Sequence, residues 1–579
     1  MKGWGRFEGY GKSDLKRDLI AGCIVGIIAI PLGMAFAIAS GVKPETGIYT
    51  TIIAGILISL LGGSKFQIGG PTGAFIPILL AIVLQYGYDK LLVAGFLAGI
   101  ILVLMGVLRL GALIKFIPKP VTVGFTAGIA VTIFAGQIGN FLGLSGLERH
   151  ESFLLNMKEL AVHIGTLNPY AVLIAAVCLA SLLVVPRVLP KVPPSLVGLV
   201  LSTLVAVLLL GGKAATIGSA YGDIPAALPS FRLPDLSWDN ITLMIRPALI
   251  IALLGGIESL LSAVVADGMS GSKHHSNREL IGQGIANMAA PLLGGIPATG
   301  AIARTATNIK NGAASPLSGI VHGLVVLLVL VLLAPYASAI PLAAMAPILM
   351  LVAWNMSERK SFARLLKLRN SDSIVLVVTF ALTVFTTLTT AVEAGLALSV
   401  LLFVKRMAGE QRLDKVLPDR EARHGKVSAG SVTPDRDCPQ LGIFSVHGAL
   451  FFGVTNPFDT PDFLASHDPA GTLLLRMGGV PFVDASGEAS LQSLVKRVRA
   501  AGGTLLISGL RPQPRRMLEK SGLLASIGED GCFEHTGEAI DAALSRHIDA
   551  SRCAGCPMAA FRECAGLCKS AGAGAENAS

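Results

Sequence analysis

The sequence predicts a helical membrane domain of roughly 12 to 14 spans joined to a small soluble α/β domain, and three observations carry that reading. The 579-residue chain is 52% hydrophobic and only 15% charged, with a mean hydropathy of +0.67, a balance foreign to ordinary soluble domains. Apolar stretches long enough, or nearly so, to cross hydrocarbon recur from Leu19 to Val404. Beyond Met407 the texture changes to charged and helix-breaking residues, and short β-type runs then alternate with amphipathic helical ones.

Taken in order, Met1 to Asp18 is polar and lacks the charged start, apolar middle and small-residue exit of a signal peptide, so none is expected. It reads as a cytoplasmic N-terminal segment, 1–18, ahead of a transmembrane domain, 19–407. Within the latter, Leu91 to Leu108, Ala171 to Val185, Leu196 to Leu210, Pro247 to Val265, Leu317 to Ala334 and Ile374 to Val392 read as spans. The formal net charge of +10 is spread over alternate connections. Lys12, Lys16 and Arg17 lie in one, Arg109, Lys115 and Lys119 in another, and Arg359, Lys360, Arg364, Lys367 and Arg369 in a third. That is the positive-inside pattern, which puts both termini in the cytoplasm and implies an even number of spans. No basic patch with interleaved aromatics stands apart from these loops, which argues against a nucleic-acid partner.

A linker is expected over 408–439 and a soluble domain over 440–548. There Leu441–Val446, Leu450–Val454, Thr472–Arg476 and Thr504–Ser508 read as strands, and Leu491–Ala500, Arg515–Gly522 and Ala539–Ile548 as helices. Such alternation argues for a sheet layered with helices. The tail, 549–579, is Ala/Gly-rich. Two of the eight cysteines fall in apolar spans and the rest on the inferred cytoplasmic side, so no disulfide framework is expected. Cys553, Cys556, Cys564 and Cys568 offer four thiols, enough for tetrahedral zinc or an iron–sulfur centre, although their spacing is short for a zinc ribbon.

Two segments inside the membrane domain look like copies of one device. Gly69-Gly70-Pro71-Thr72-Gly73-Ala74 and Gly294-Gly295-Ile296-Pro297-Ala298-Thr299-Gly300-Ala301 each break the chain and run straight into an apolar helix. Non-helical backbone at membrane depth persists only where it is buried in protein or lines a cavity, because unpaired N–H and C=O groups are expensive in hydrocarbon. Paired breaks in two halves of a chain point to a substrate site at the midplane, where half-helix N-termini offer free N–H groups. Ordinary loops capped by glycine are the plainer alternative. By the parity of spans, the first half-helix runs outward and the second inward.

Arg304 follows Gly300 by four residues, within about 6 Å of the second half-helix's start at 1.5 Å per residue. A charge there is a functional hypothesis by default and makes the guest an anion, with a snorkelling arginine as the alternative. Glu258 sits in the apolar run Ala248 to Val265, where a carboxylate needs a partner: Arg304, a bound cation or a proton. Asp267 is expected to contact the loop from Gly268 to Ser276, whose His274 and His275 read as solvated. In the soluble domain, Ser486 lies at the start of a helix after Val483-Asp484-Ala485, either as a cap or as a site where phosphate is welcome. No nucleophile with a base partner and no Walker-type loop is present, so the chain is not expected to be an enzyme.

Several blocks in order resemble the SulP anion permease family. They are Ile30-Pro31-Leu32-Gly33-Met34-Ala35-Phe36-Ala37, Gly41 to Tyr49, Gly70 to Ala74, Glu258 to Met269, Asn277 to Gly284 and Gly294 to Asn311; Val480 to Gly487 is similar to a STAS domain. The resemblance implies a membrane all-α fold of fourteen transmembrane segments in two inverted seven-helix repeats, with core and gate domains, then a soluble α/β STAS domain, and commonly a homodimer. It implies an anion bound by Thr72, Gly73, Ala74, Ala301, Ile302, Ala303 and Arg304 beside Phe36, with Glu258 at the position that couples a proton or sodium ion. Some relatives have Gln in place of Leu32, and animal relatives have Ser in place of Ala303, which shifts recognition here toward backbone N–H groups. Met350 to Glu358 and Ser315 to Ser318 look closest to a bacterial branch that includes a four-carbon dicarboxylate transporter. The expectation is a secondary active transporter of small, sulfate-class anions in the bacterial cytoplasmic membrane. Dicarboxylate or bicarbonate symport, an anion channel and a STAS-signalling sensor are the alternatives.

Overall fold

The computed structural model describes residues 10–112, 118–189, 192–226, 230–386, 388–418, 427–429, 432–433, 436–453, 456–468, 470–553, 556–558 and 560–561. The chain divides into two compact units, Met1–Ser399 and Val400–Ser579.

The first unit is helical. It begins with α1 (Lys12–Ala39), α2 (Pro44–Leu61), a two-residue strand β1 (Gly69–Gly70), α3 (Ile76–Tyr86) and α4 (Tyr88–Val107). After these come α5 (Lys119–Gly136), α6 (Ile138–Leu142), α7 (Phe153–Val162), α8 (Pro169–Val188), α9 (Pro194–Leu209) and α10 (Ile217–Tyr221). The second half runs through α11 (Trp238–Ser270), α12 (Ser276–Leu292), β2 (Thr299–Gly300), α13 (Ile302–Lys310), α14 (Leu317–Ala337), α15 (Leu342–Met356), α16 (Arg359–Lys367), α17 (Ser371–Phe385) and α18 (Leu388–Gly409). Among the described residues, seven helices are long and apolar enough to cross a membrane, and three shorter apolar ones cover Gly73–Tyr86, Pro194–Leu209 and Ser371–Phe385. The run from Ile374 to Val392, expected as one span, is two helices. α17 stops at Phe385 because Thr386 is extended (φ −126°, ψ −168°), a β-branched break that uniform hydropathy hides.

Small residues let these helices touch backbone to backbone. A Cβ on Gly99 of α4 would meet Met288 N of α12 at 2.6 Å, and one on Gly22 of α1 would meet Ser318 O of α14 at 2.5 Å. In a bilayer such close packing replaces the missing hydrophobic drive between helices. One group, α1, α2, α4, α11, α12 and α14, gathers around the two breaks, while α5 packs on α15 and α17.

The second unit holds a six-stranded sheet. Its strands are β3 (Arg412–Pro418), β4 (Val427–Ala429), β5 (Leu441–His447), β6 (Thr472–Gly479), β7 (Thr504–Ser508) and β8 (Cys532–Phe533), in the order β4-β3-β5-β6-β7-β8. β5 to β8 are parallel, and β3 pairs antiparallel with β4 and β5. Its helices are α19 (Pro461–Ala465), α20 (Ala485–Ala500), α21 (Pro512–Lys520), α22 (Leu523–Ile527), α23 (Thr536–Arg546) and α24 (Ala550–Cys553). Alternation along the strands builds two cores. Phe444, Val446, Leu473 and Leu475 pack with Leu491 and Val495 of α20, whereas Ile443, Leu474 and Leu506 pack with Ala539 and Ala543 of α23. Two sequence expectations change here. The segment 408–439 is not all linker, because Leu413, Val416 and Leu417 commit β3 to the sheet beneath its charges. Of the run expected as a strand over Leu450–Val454, Leu450 forms an isolated bridge with Val483, and Val454 lies outside the described residues.

Candidate functional site

The two breaks meet. β1 and β2 pair antiparallel, Gly69 opposite Gly300 and Gly70 opposite Thr299, so the two chains enter their half-helices in opposite directions. The pairing continues as Ala301 N donates to Ile68 O at 2.8 Å. Side chains from the flanking helices satisfy what remains: Ser259 Oγ accepts from Gly300 N at 3.0 Å, Thr305 Oγ1 from Ile68 N at 3.0 Å, and Asn287 Oδ1 from Ala298 N at 2.8 Å. This is how irregular backbone survives inside a membrane protein. Gly300 is required by crowding, since a Cβ there would lie 1.7 Å from Gln67 Nε2.

Each break then opens a helix. Thr72 precedes a 3₁₀ turn, Gly73–Phe75, that runs into α3, and Ala301 precedes α13; neither makes a side-chain cap. Among the described residues the first-turn N–H groups of Gly73, Ala74, Ile302 and Ala303 have no acceptor. Such groups carry the positive end of the helix dipole. Ala74 and Ala301 are buried, while Ile302 and Ala303 are exposed. Phe36 of α1 is buried, and a Cβ on Gly73 would lie 3.7 Å from its ring. The structure therefore assembles at one crossing the residues that the sequence placed in two distant segments.

Arg304 is buried, its Nη2 donates to the Pro71 carbonyl, and its Nη1 has no partner among the described residues. The guanidinium of the second half-helix thus holds the backbone of the first. Glu258 is on α11, and its Oε2 accepts from Thr72 Oγ1 at 3.0 Å and from Thr299 Oγ1 at 3.4 Å. Of the partners the sequence left open for Glu258, Arg304 is not the one taken here. Thr299, Ser259, Gln67 and Thr305 were missed in the sequence, where the only signal was small polar residues inside apolar runs. Asp267 does hold its loop, through His274 Nδ1 at 2.7 Å, and His274 is packed rather than solvated, with 9% of its side chain exposed.

The sequence model of the sulfate permease family matches residues 15–379, and that of the STAS domain matches 434–539. The chain belongs to the sulfate permease family. It is 54% identical to YvdB of Bacillus subtilis (strain 168), provisionally named a sulfate transporter, over 93% of this chain and 99% of that one. The bicarbonate transporter BicA of Picosynechococcus is 27% identical over 92% and 95%. Among solved structures, the inward-facing murine Solute Carrier 26 family member A9 anion transporter shares the fold, with a TM-score of 0.84 at 18% identity, covering 94% of this chain and 93% of that one. The transmembrane domain of a cyanobacterial BicA gives 0.60 at 29% identity, covering 67% and 97%. The permease is a membrane-embedded, multi-pass anion transporter and not an enzyme.

In the permease's soluble unit Ser486 is exposed at the second position of α20, and the cap is Asp484, whose Oδ1 accepts from Ser486 N and Gly487 N at 2.9 Å each. Cys553 is buried at the end of α24 and accepts from Gln440 Nε2 at 3.5 Å. The N–H of Cys556 donates to Cys553 O at 3.2 Å. Cys564 and Cys568 lie outside the described residues. Among those described, no group of three or more His, Cys, Asp or Glu side chains is placed to hold a metal.

Proposed function

We propose that the permease is a secondary active transporter of small, sulfate-class oxyanions across the bacterial cytoplasmic membrane, coupled to a proton or sodium ion at Glu258. The observation that carries this reading is a buried guanidinium with an unengaged Nη1 between two sets of uncapped helix N-termini. Positive charge and free N–H groups converge there, and the one carboxylate is engaged by threonine hydroxyls. Gly73, Ala74, Ile302 and Ala303 supply backbone donors at the half-helices that Thr72 and Ala301 open, Phe36 an apolar wall and Arg304 the charge. The name of YvdB favours sulfate, and that of BicA keeps bicarbonate as the runner-up.

Because β1 and β2 are hydrogen-bonded to each other, the two half-helices move as one body. That supports an elevator-like cycle in which the breaks and their surrounding helices shift against the group containing α5, α15 and α17. A coupling ion at Glu258 offsets the carboxylate's charge while the anion is carried. Cytoplasmic termini and a homodimer complete the reading.

The test is uptake of labelled sulfate, bicarbonate and fumarate into proteoliposomes under imposed proton or sodium gradients. Sulfate accumulation that follows one gradient and is lost in Arg304→Ala, with the variant still inserted, is the expected result. Binding without flux, or near-normal uptake by Arg304→Ala, would overturn the proposal.

A further inference from the structure

The soluble unit carries a cationic side chain that, among the described residues, has hydroxyls for neighbours and no acid. In the register of the sheet, Ser445 of β5, Arg476 of β6 and Ser508 of β7 stand side by side. By alternation they share the face that buries Ile443, Leu474 and Leu506 under α23. Toward the carboxyl ends of three parallel strands, that apolar face therefore gives way to a polar row. Arg476 Nη1 donates to Ser445 Oγ at 2.6 Å, and Nε donates to Thr536 Oγ1 at 3.2 Å. Thr536 Oγ1, on the first residue of α23, lies 3.2 Å from Ser508 Oγ. Ser445 and Ser508 are buried and Arg476 is half-buried.

The row is rich in donors. A guanidinium brings five N–H donors and accepts nothing, and two atoms of this one are engaged. The ion pairs among the unit's described residues join Lys415 to Asp437, Arg497 to Asp459 and Arg546 to Asp530, leaving Arg476 without a carboxylate. Desolvation holds its guanidinium below the ordinary arginine value, so the site bears a partly buried charge that no described carboxylate neutralises. The first turn of α23, an eleven-residue helix, adds the N–H groups of Thr536 and Gly537, which have no acceptor among the described residues. The one carboxylate on that turn, Glu538, is turned to His535 N at 3.4 Å. The row lies on one face of the strands, a little short of the carboxyl ends at which open parallel sheets take their ligands.

We propose that Ser445, Arg476, Ser508 and Thr536 form a second anion site, inside the soluble unit, for a tetrahedral oxyanion: free sulfate or phosphate, or the terminal phosphate of an organic ester. A structural role for Arg476, pinning β5 to α23, needs only its two hydroxyl contacts. The surplus donors and the missing counter-charge are what a ligand explains. With such a site, the STAS unit reports on the cytoplasmic level of an anion independently of carriage.

The experiment is equilibrium dialysis of the full-length protein in detergent with labelled sulfate, phosphate and adenosine monophosphate, with hydrogen exchange read at α23. Arg304→Ala is the background in which the transport site is silenced. One anion per chain should still bind there and slow exchange in the first turn of α23, and adding Arg476→Gln should weaken it about tenfold or more, the loss of a charge-assisted contact. Inorganic anions sufficing makes the ligand a free anion, and saturation by the nucleotide alone makes it an ester. No binding of any of the three by Arg304→Ala, or binding indifferent to Arg476→Gln, overturns the site. Should Arg476→Gln melt early, Ser508→Ala replaces it as a milder cut. Unchanged affinity and unchanged α23 exchange in that variant would likewise overturn the proposal.

Discussion

Replacing Gly300 with alanine puts a methyl group where there is no room for one. A Cβ at this position falls 1.7 Å from Gln67 Nε2 and 2.6 Å from Gln67 Cδ, far inside the roughly 3.5–4 Å of a carbon contact. Gln67 is 2% exposed, and its Nε2 donates to Ser259 O at 3.0 Å. If the side chain swings away, a buried donor and a buried carbonyl lose each other, which costs about 1–3 kcal/mol. If it stays, β1 and β2 spread, and overpacking of this kind costs about 1–3 kcal/mol. Either way the penalty is about 1–3 kcal/mol, a sizeable part of the roughly 5–15 kcal/mol that holds a typical domain together. Thermal unfolding in detergent and sulfate uptake, measured side by side, should both fall. Gly268→Ala is the control: it is in the last turn of α11 with nothing within 4 Å of its Cβ, so it should change little or stabilise slightly. A Gly300→Ala protein that melts and transports like the wild type would show that the two breaks are not in contact, and the site as built here would fail with it.

Glu258→Gln keeps an acceptor for Thr72 and Thr299 but removes the charge. Uptake should lose its dependence on the driving gradient while binding persists, and an unchanged gradient dependence would remove Glu258 from coupling. Glu279 is fully buried and accepts from Gly63 N at 2.7 Å, Ser64 N at 3.0 Å and Gln283 Nε2 at 2.9 Å. Glu279→Ala strands three buried donors and should cost about 3 kcal/mol or more, visible as a lost monodisperse peak in fluorescence-detected gel filtration. In the soluble unit, desolvation, helped by Arg497 and Lys415, holds His467 below its ordinary value of 6.5. A histidine kept neutral by folding adds stability that is intact above the unfolded value and lost as pH falls through the folded one. Protection of β5 and β6 amides, after correction for the intrinsic pH dependence of exchange, should therefore fall from neutral to mildly acidic pH, and His467→Gln should flatten the response.

Much of this fold is written in hydropathy. The runs at Leu91, Ala171 and Leu317 became α4, α8 and α14 almost residue for residue, because a long apolar run has few alternatives in a bilayer. The two breaks were legible too, since Gly and Pro at that depth need a polar surrounding. That they pair with each other was not legible: contact between residues 69 and 300 is a property of helix packing, which local pattern does not encode. The same limit hid Thr299 as a partner of Glu258. It also made Arg304 look like a counter-ion for that carboxylate, when its Nη2 bonds instead to the Pro71 carbonyl. β3 escaped because Arg412, Asp414 and Lys415 mask the apolar positions that dock it. Asp484, two residues before Ser486, takes the cap because its carboxylate reaches two N–H groups at once.

The joining of Gly69–Gly70 to Thr299–Gly300 has a consequence for biogenesis. The two partners are more than two hundred residues apart in the chain, so when the first break leaves the ribosome the strand that will complete it has not been made. Until α11, α12 and the second break are inserted, the polar backbone at Gly69 and Gly70 has no mate. Synthesis proceeds at about 5–20 residues per second, so this interval lasts on the order of ten seconds or more. During it the nascent chain depends on whatever shelters unpaired backbone at the insertion machinery. Chains truncated before residue 299 should stay trapped there or be degraded, while chains ending beyond α14 should mature.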